Sequence, residues 1–145
     1  MSVRVSALAA LLTLASPLAA AEIVPPADPL HAAVLAAATD SVADELGLPV
    51  QLHASELRAG DGFAFLSANV THADGSAIDF RQTPYADAVE DGLFDGPHLW
   101  ALLREDDGAW TVLEQDIGPT DAWYAGWPSA HGAACDLIFD GFTGC

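Results

Sequence analysis

The sequence predicts an α+β domain in which an N-terminal helix packs on a curled antiparallel sheet of about four strands. Three observations carry this reading. Apolar residues recur every fourth position between Asp28 and Gly47, the period drops to two after Pro49, and two Asp-Gly pairs, at Asp61-Gly62 and Asp107-Gly108, interrupt the stretches that follow. A helix with one apolar stripe needs a surface to cover it, and two hairpins in succession supply a sheet.

The elements follow in order. Glu22 to Ala27, with Pro25 and Pro26, reads as an extended leader. Asp28 stands where an N-cap belongs, Pro29 suits the first helical position, and Leu30, Val34, Ala38, Val42 and Leu46 form one stripe before Gly47 and Pro49 stop the helix. Asp40, Asp44 and Glu45 occupy the polar side, where a helix lying on a membrane surface would carry lysine or arginine, so this helix reads as packing on a core. Val50 to Arg58 alternates as a half-buried strand, Ala59-Gly60-Asp61-Gly62 connects, and Phe63 to Thr71 is the second strand. Gly60 and Gly62 fit neither the P-loop nor the dinucleotide spacing, and no helix follows them.

Residues 72–83 read as a loop, and Pro84 to Glu90 as one or two helical turns ending at Gly92. His98 to Arg104 and Ala109 to Gln115 form a second hairpin around Glu105-Asp106-Asp107-Gly108, with Leu99, Ala101 and Leu103 facing the core. Trp100 and Trp110 fall on opposite sides of it. After Gly118-Pro119, Thr120 or Asp121 caps a short helix through Trp123, Tyr124 and Trp127 that Pro128 ends, and Leu137-Ile138-Phe139 reads as a short edge strand.

Residues 1–21 read as a signal peptide: Arg4 gives the positive start, Ala7 to Leu14 the apolar stretch, and Ala19-Ala20-Ala21 a small-residue cleavage site ahead of Glu22. The apolar stretch is too short for a transmembrane span, and no cysteine near the cut invites a lipid anchor. The expected product is a single α+β domain, residues 22–145, in the periplasm or outside the cell and without membrane anchoring.

All 21 acidic residues lie at or beyond Glu22, opposed there only by Arg58, Arg81 and Arg104, and the chain has no lysine. Such a surface repels phosphate backbones and anionic headgroups, which argues against nucleic acid and peripheral membrane as partners. The acids are spread along the chain, as a solvated surface in salty medium requires, where a Debye length of roughly 3–8 Å screens self-repulsion. Absent lysine and abundant alanine are the composition of a GC-rich, salt-adapted bacterium. Cys135 and Cys145 are the only cysteines, neither sits in a CxxC or beside a histidine, and in an exported chain they read as a disulfide. Such a bridge closes a loop of about ten residues and stabilises by roughly 2–3 kcal/mol in the chain-entropy account.

The order of elements looks like that of the cystatin-like and NTF2-like rolls. The stretch from Leu48 to Thr120 also resembles a family of small exported bacterial proteins of uncharacterised function. That resemblance rests on Gly47-Leu48-Pro49-Val50, Leu57-Arg58, Gly62-Phe63-Ala64-Phe65, Gly108-Ala109-Trp110-Thr111-Val112 and Gly118-Pro119-Thr120-Asp121. Phe63 stands where such relatives carry tryptophan, which bears on core packing. The resemblance implies a fold and no site residues.

The chemistry-bearing residues form no motif. His31, His53, His72, His98 and His131 show no HxH, HExxH or HxxxH spacing, although His53 and His98 lie on strands that can bring them together. The run Asp87, Glu90, Asp91 and Asp95 invites a calcium loop, but an EF-hand register from Asp87 puts Val89 and His98 where oxygens belong, leaving only a looser, weaker loop. Ser76 lacks a nucleophile elbow, and 21 acids can be paired in too many ways for a glycosidase reading to carry information. The sequence thus assigns no catalytic residue, no metal ligands and no cofactor.

Aromatic crowding is the remaining signal. Trp123 and Trp127, with Arg81 as a rare cation if the long loop folds back, are the candidate binding residues at a recognition surface or pocket mouth. The expected function is that of a small exported, non-catalytic binding or accessory domain whose partner is an extracytoplasmic protein or small ligand. The alternative is an α+β-roll enzyme in which His98 and Asp121 face a cavity as acid and base.

Overall fold

The computed structural model describes residues 20–145. The signal-peptide reading falls on residues 1–21, of which 1–19 lie outside the described residues. The rest is an α+β fold: one helix on a five-stranded sheet, one strand more than expected.

Helix α1, Pro29–Leu46, begins and ends where its caps dictate. Asp28, in an extended conformation, accepts from the Leu30 N–H at 2.9 Å, and Gly47 takes φ +69° while its N–H reaches the Ala43 carbonyl at 2.9 Å. The predicted stripe is the buried one: Val34, Ala38, Val42 and Leu46.

The sheet runs β1 (Glu22–Ile23), β2 (Val50–Gly60), β3 (Phe63–His72), β4 (Phe94–Asp106) and β5 (Ala109–Pro119), each antiparallel to the next. Both long hairpins close on the Asp-Gly pairs. Asp61 (φ 51°) with Gly62 (78°), and Asp107 (53°) with Gly108 (82°), hold the two positive φ angles of a type I′ turn.

Two bulges decide which residues face which way. In β2 the register shifts between Ala54 and Glu56, leaving Ser55 as the extra residue. Val50 and Leu52 before it, and Leu57 after it, thereby meet α1, while Arg58 turns to the far side. In β5, Leu102 pairs with Glu114 and Leu103 with Val112, so Leu113 is the extra residue. Trp110 and Val112 before it and Ile117 after it share the helix side.

The far side of the sheet is also covered. Phe65 and Leu102 pack there with Ala21 and Leu137, flanked by Phe63, Trp100, Leu113, Tyr124, Trp127 and Ile138. This second layer is the C-terminal tail: a 3₁₀ turn at Trp123–Gly126, the one-turn helix α3 at Trp127–Ala130 and a 3₁₀ turn at Cys135–Leu137. A Cys135–Cys145 disulfide, with Cα atoms 5.7 Å apart, closes the tail's end. Arg58, only 4% exposed, holds it from below. Its guanidinium donates to the Asp136 carbonyl (3.2 Å), the Ala21 carbonyl (3.3 Å) and the Asp140 carboxylate (2.6 Å).

Four expectations need correction. Neither Thr120 nor Asp121 caps the turn at Trp123–Gly126, where Ala122 holds the cap position, and Pro128 lies in the first turn of α3 rather than ending a helix. The leader is not free of structure: Glu22 and Ile23 pair with Ala59 and Arg58, and the Val24 N–H reaches the Leu57 carbonyl at 2.8 Å, because pairing can proceed until Pro25 and Pro26 remove the donors. The stretch at Leu137 is not an edge strand, since that side chain is buried flat against the sheet's far face within a 3₁₀ turn. The second hairpin is longer than its alternating core, reaching Phe94 and Pro119.

Where β4 starts and β5 ends, Gly118 is sterically required. It has φ +67°, and a Cβ there would fall 2.5 Å from Phe94 Cε2 and 2.6 Å from the Gly96 carbonyl oxygen. Gly118→Ala is expected to lose about 2–4 kcal/mol in urea unfolding, from backbone strain plus overlap. Gly75→Ala, also at positive φ but with open space around it, is expected to lose only about 1–2 kcal/mol.

Candidate functional site

The end of the sheet beside Gly118 carries two adjoining cavities that share the chain Pro119-Thr120-Asp121 as a wall. One, of about 240 Å³, is lined by Asp95, His98, Trp100 and Pro119 through Ala122 with Tyr124. The other, of about 390 Å³, is lined by Tyr85, Ala88, Leu93, Asp116 to Asp121 and Trp123, and is the more apolar. Each wall has a local cause. Asp95 and His98 sit on the irregular first part of β4, where Gly96 and Pro97 interrupt pairing between Phe94 and Leu99. Trp100 points to the far side of the sheet, and Tyr124 stacks on it with centroids 4.5 Å apart and planes at 18°.

Trp123 and Leu93 stand at the larger cavity with 64% and 61% of their surfaces exposed. The Trp123 indole is aimed rather than loose, because its Nε1–H donates to Asp116 Oδ2 at 2.9 Å. The polar groups around the two cavities are the carboxylates of Asp95, Asp116 and Asp121, the imidazole of His98 and the hydroxyls of Thr120, Tyr85 and Tyr124. No arginine among the described residues lines either one.

A polar bridge to α1 holds the rear of the larger cavity. Tyr85, just before the short helix α2 (Ala86–Glu90), donates its O–H to Glu45 Oε1 at 2.5 Å and accepts from the Ile117 N–H at 3.3 Å. Gln115 Nε2 donates to the other oxygen of Glu45 and, at 3.4 Å, to the Ser41 carbonyl. Burial, then the Glu45 carboxylate, pushes the Tyr85 hydroxyl well above its ordinary pKa. A neutral Tyr85 donates to Glu45, whereas an ionised one would repel it.

The candidate residues separate in the structure. Trp123 is at the cavity and exposed. Trp127 is half-buried in the tail layer, with ring centroids 6.5 Å from Phe65 and 6.4 Å from Tyr124. The long loop does fold back, since Phe80 packs at 4.6 Å from Phe94, but Arg81 remains exposed in the 3₁₀ turn Phe80–Gln82 and lines neither cavity. His98 and Asp121 share the smaller cavity, without a hydrogen bond between them among the described residues. His53 and His98 do not touch as neighbours: Asn69 pairs with both and lies between them. The acidic run divides, with Asp87 and Glu90 on α2 and Asp95 on β4, and among the described residues no group of three histidines, cysteines or acids is arranged to hold a metal ion. Leu93 and Asp116 belong to none of the sequence motifs, the lone leucine within an acidic stretch being the available signal for the first, and Asp95, expected in a calcium loop, lines the smaller cavity instead.

Against known proteins, the chain matches no family model, no curated protein and no solved structure.

Tyr85→Phe is expected to lose about 1–2 kcal/mol at neutral pH, because the Ile117 N–H and one Glu45 oxygen lose a partner. A raised tyrosine pKa contributes stability that is complete below the unfolded value and is lost as pH rises past about 10. Urea unfolding across that range should therefore show a fall in the native protein that is smaller in Tyr85→Phe.

Proposed function

We propose that this chain is an exported, non-catalytic binding domain whose paired cavities take a basic, apolar peptide segment of a partner protein. The carrying observation is the pairing of two exposed apolar side chains, Leu93 and Trp123, with a lining whose charged groups are mainly carboxylates. A peptide apolar side chain fits the larger cavity, and an adjacent arginine or lysine meets Asp121 and Asp95 with the Trp100 and Tyr124 rings alongside. The surrounding negative surface steers such a segment in and turns acidic ones away. The kinship with small exported bacterial proteins, read from the Gly47-Leu48-Pro49-Val50 and Gly118-Pro119-Thr120-Asp121 segments, belongs to the same proposal. For the exported state there is this support: the chain carries a disulfide between Cys135 and Cys145.

A second reading has its own observation, the presence of His98 and Asp121 in one cavity. With a water between them they would serve as acid and base. Ring nitrogen shifts of His98 that ignore Asp121→Asn would remove that reading.

The binding test uses Trp123 as its reporter. Titration at physiological salt with a peptide alternating arginine and leucine should quench its fluorescence and give a saturable isotherm by calorimetry. Trp123→Ala and Asp121→Asn should each weaken binding about tenfold, which is about 1.4 kcal/mol. A peptide of arginine and glycine that binds equally well, or affinity unchanged in both variants, defeats the proposal by reducing the effect to bulk charge.

A further inference from the structure

We infer that processing cuts the bond between Ala20 and Ala21, and that the α-ammonium so created at Ala21 pairs with Asp136 to lock the tail. The inference rests on the export reading and moves the cut one residue from the position that the alanine run alone favours. Its grounds are the surroundings of Ala21. That residue is 5% exposed and belongs to the far-side core, whereas Ala20 before it is exposed. The Ala21 nitrogen donates to Asp136 Oδ2 at 3.2 Å, and the Ala21 carbonyl accepts from Arg58 Nη2 at 3.3 Å. The other oxygen of the same carboxylate, Asp136 Oδ1, is buried and has no hydrogen-bond partner.

An amide nitrogen has one proton to donate and that proton is in use, so the amide leaves Oδ1 unsatisfied. Hydrolysis by an export-processing peptidase adds water across the amide. The carbonyl carbon of Ala20 keeps the hydroxyl and departs as a carboxylate, while the Ala21 nitrogen takes up protons to become an ammonium with three donors. One donor already points at Oδ2, a second is available to Oδ1, and the charge matches the carboxylate. A cut after Ala21 has the opposite effect. It removes an acceptor from buried Arg58, strips Asp136 of the Oδ2 partner it has, and opens a gap beside Phe65 and Leu137. The register proposed places Leu18, not Ala19, third before the cut.

Absence of lysine makes the test selective, because after processing the α-amine is the single amine of the chain. The full-length protein is exported by a bacterial host, and the mature product is read by N-terminal sequencing and intact mass. A start at Ala21 is expected. A start at Glu22 overturns the inference while leaving export intact; a start at Met1 overturns both; a start at Ala20 or any earlier residue removes the ammonium from Asp136 and overturns it as well. On the Ala21 product, acylation with an amine-reactive ester at neutral pH should run at least tenfold slower in the folded protein than in urea, and Asp136→Asn should restore much of the rate. Equal rates in folded and unfolded protein overturn the pairing.

Discussion

The change of phase at Ser55 is the constraint on which the architecture rests. Along β2 the core-facing parity moves from the even positions Val50 and Leu52 to the odd position Leu57, and one extra residue is the only way a strand can absorb such a change. The same event sends Arg58 to the opposite face. With Phe65 and Leu102 beside it, that face is too apolar to remain wet and too charged to be covered by apolar atoms alone. The tail satisfies both demands, offering Leu137 and the aromatic rings to the apolar part and the carbonyls of Ala21 and Asp136, with the Asp140 carboxylate, to the guanidinium. Because Asp140 is largely exposed, its pairing with the buried Arg58 avoids the desolvation of two opposite charges at once.

Legibility of the fold followed the locality of its causes. Helix α1 was readable because Asp28, Pro29 and Gly47 act within a turn of where they stand, and both hairpins were readable because Asp-Gly at positive φ fixes the connection. Strand β1 was hidden because nothing in Glu22 and Ile23 records that Ala59 and Arg58 will offer an open edge. The tail was misread because Leu137-Ile138-Phe139 is apolar enough for a strand, and only the far-side face created by the bulge makes a packed turn preferable.

The candidate site was half legible for the same reason. Aromatic crowding marked Trp123 and Trp127 alike, but composition cannot divide a surface ring from a packing ring. Asp116 turns the first outward to the cavity and Phe65 draws the second inward. Arg81 was attractive as a cation among acids, and the arrangement reverses its meaning: among the described residues no arginine lines the cavities, so their field stays negative, as the basic ligand proposed above requires.

The nearest-neighbour sheet order carries a consequence for assembly. β2, β3, β4 and β5 each pair with the strand adjacent in sequence: Asp61-Gly62 and Asp107-Gly108 close the two hairpins, and only residues 73–93 separate β3 from β4, so the entropic penalties of closure stay small. The contacts that fasten the tail span far more chain: 78 residues from Arg58 to the Asp136 carbonyl, 82 to Asp140, and 115 from Ala21 to the Asp136 carboxylate. A chain emerging N-terminus first therefore completes its helix and sheet with the far face still bare, and the C-terminal tail that follows is the segment that seals it. Aggregation through that face is a hazard of the interval, and dense negative charge on the already folded half is a standing defence against it.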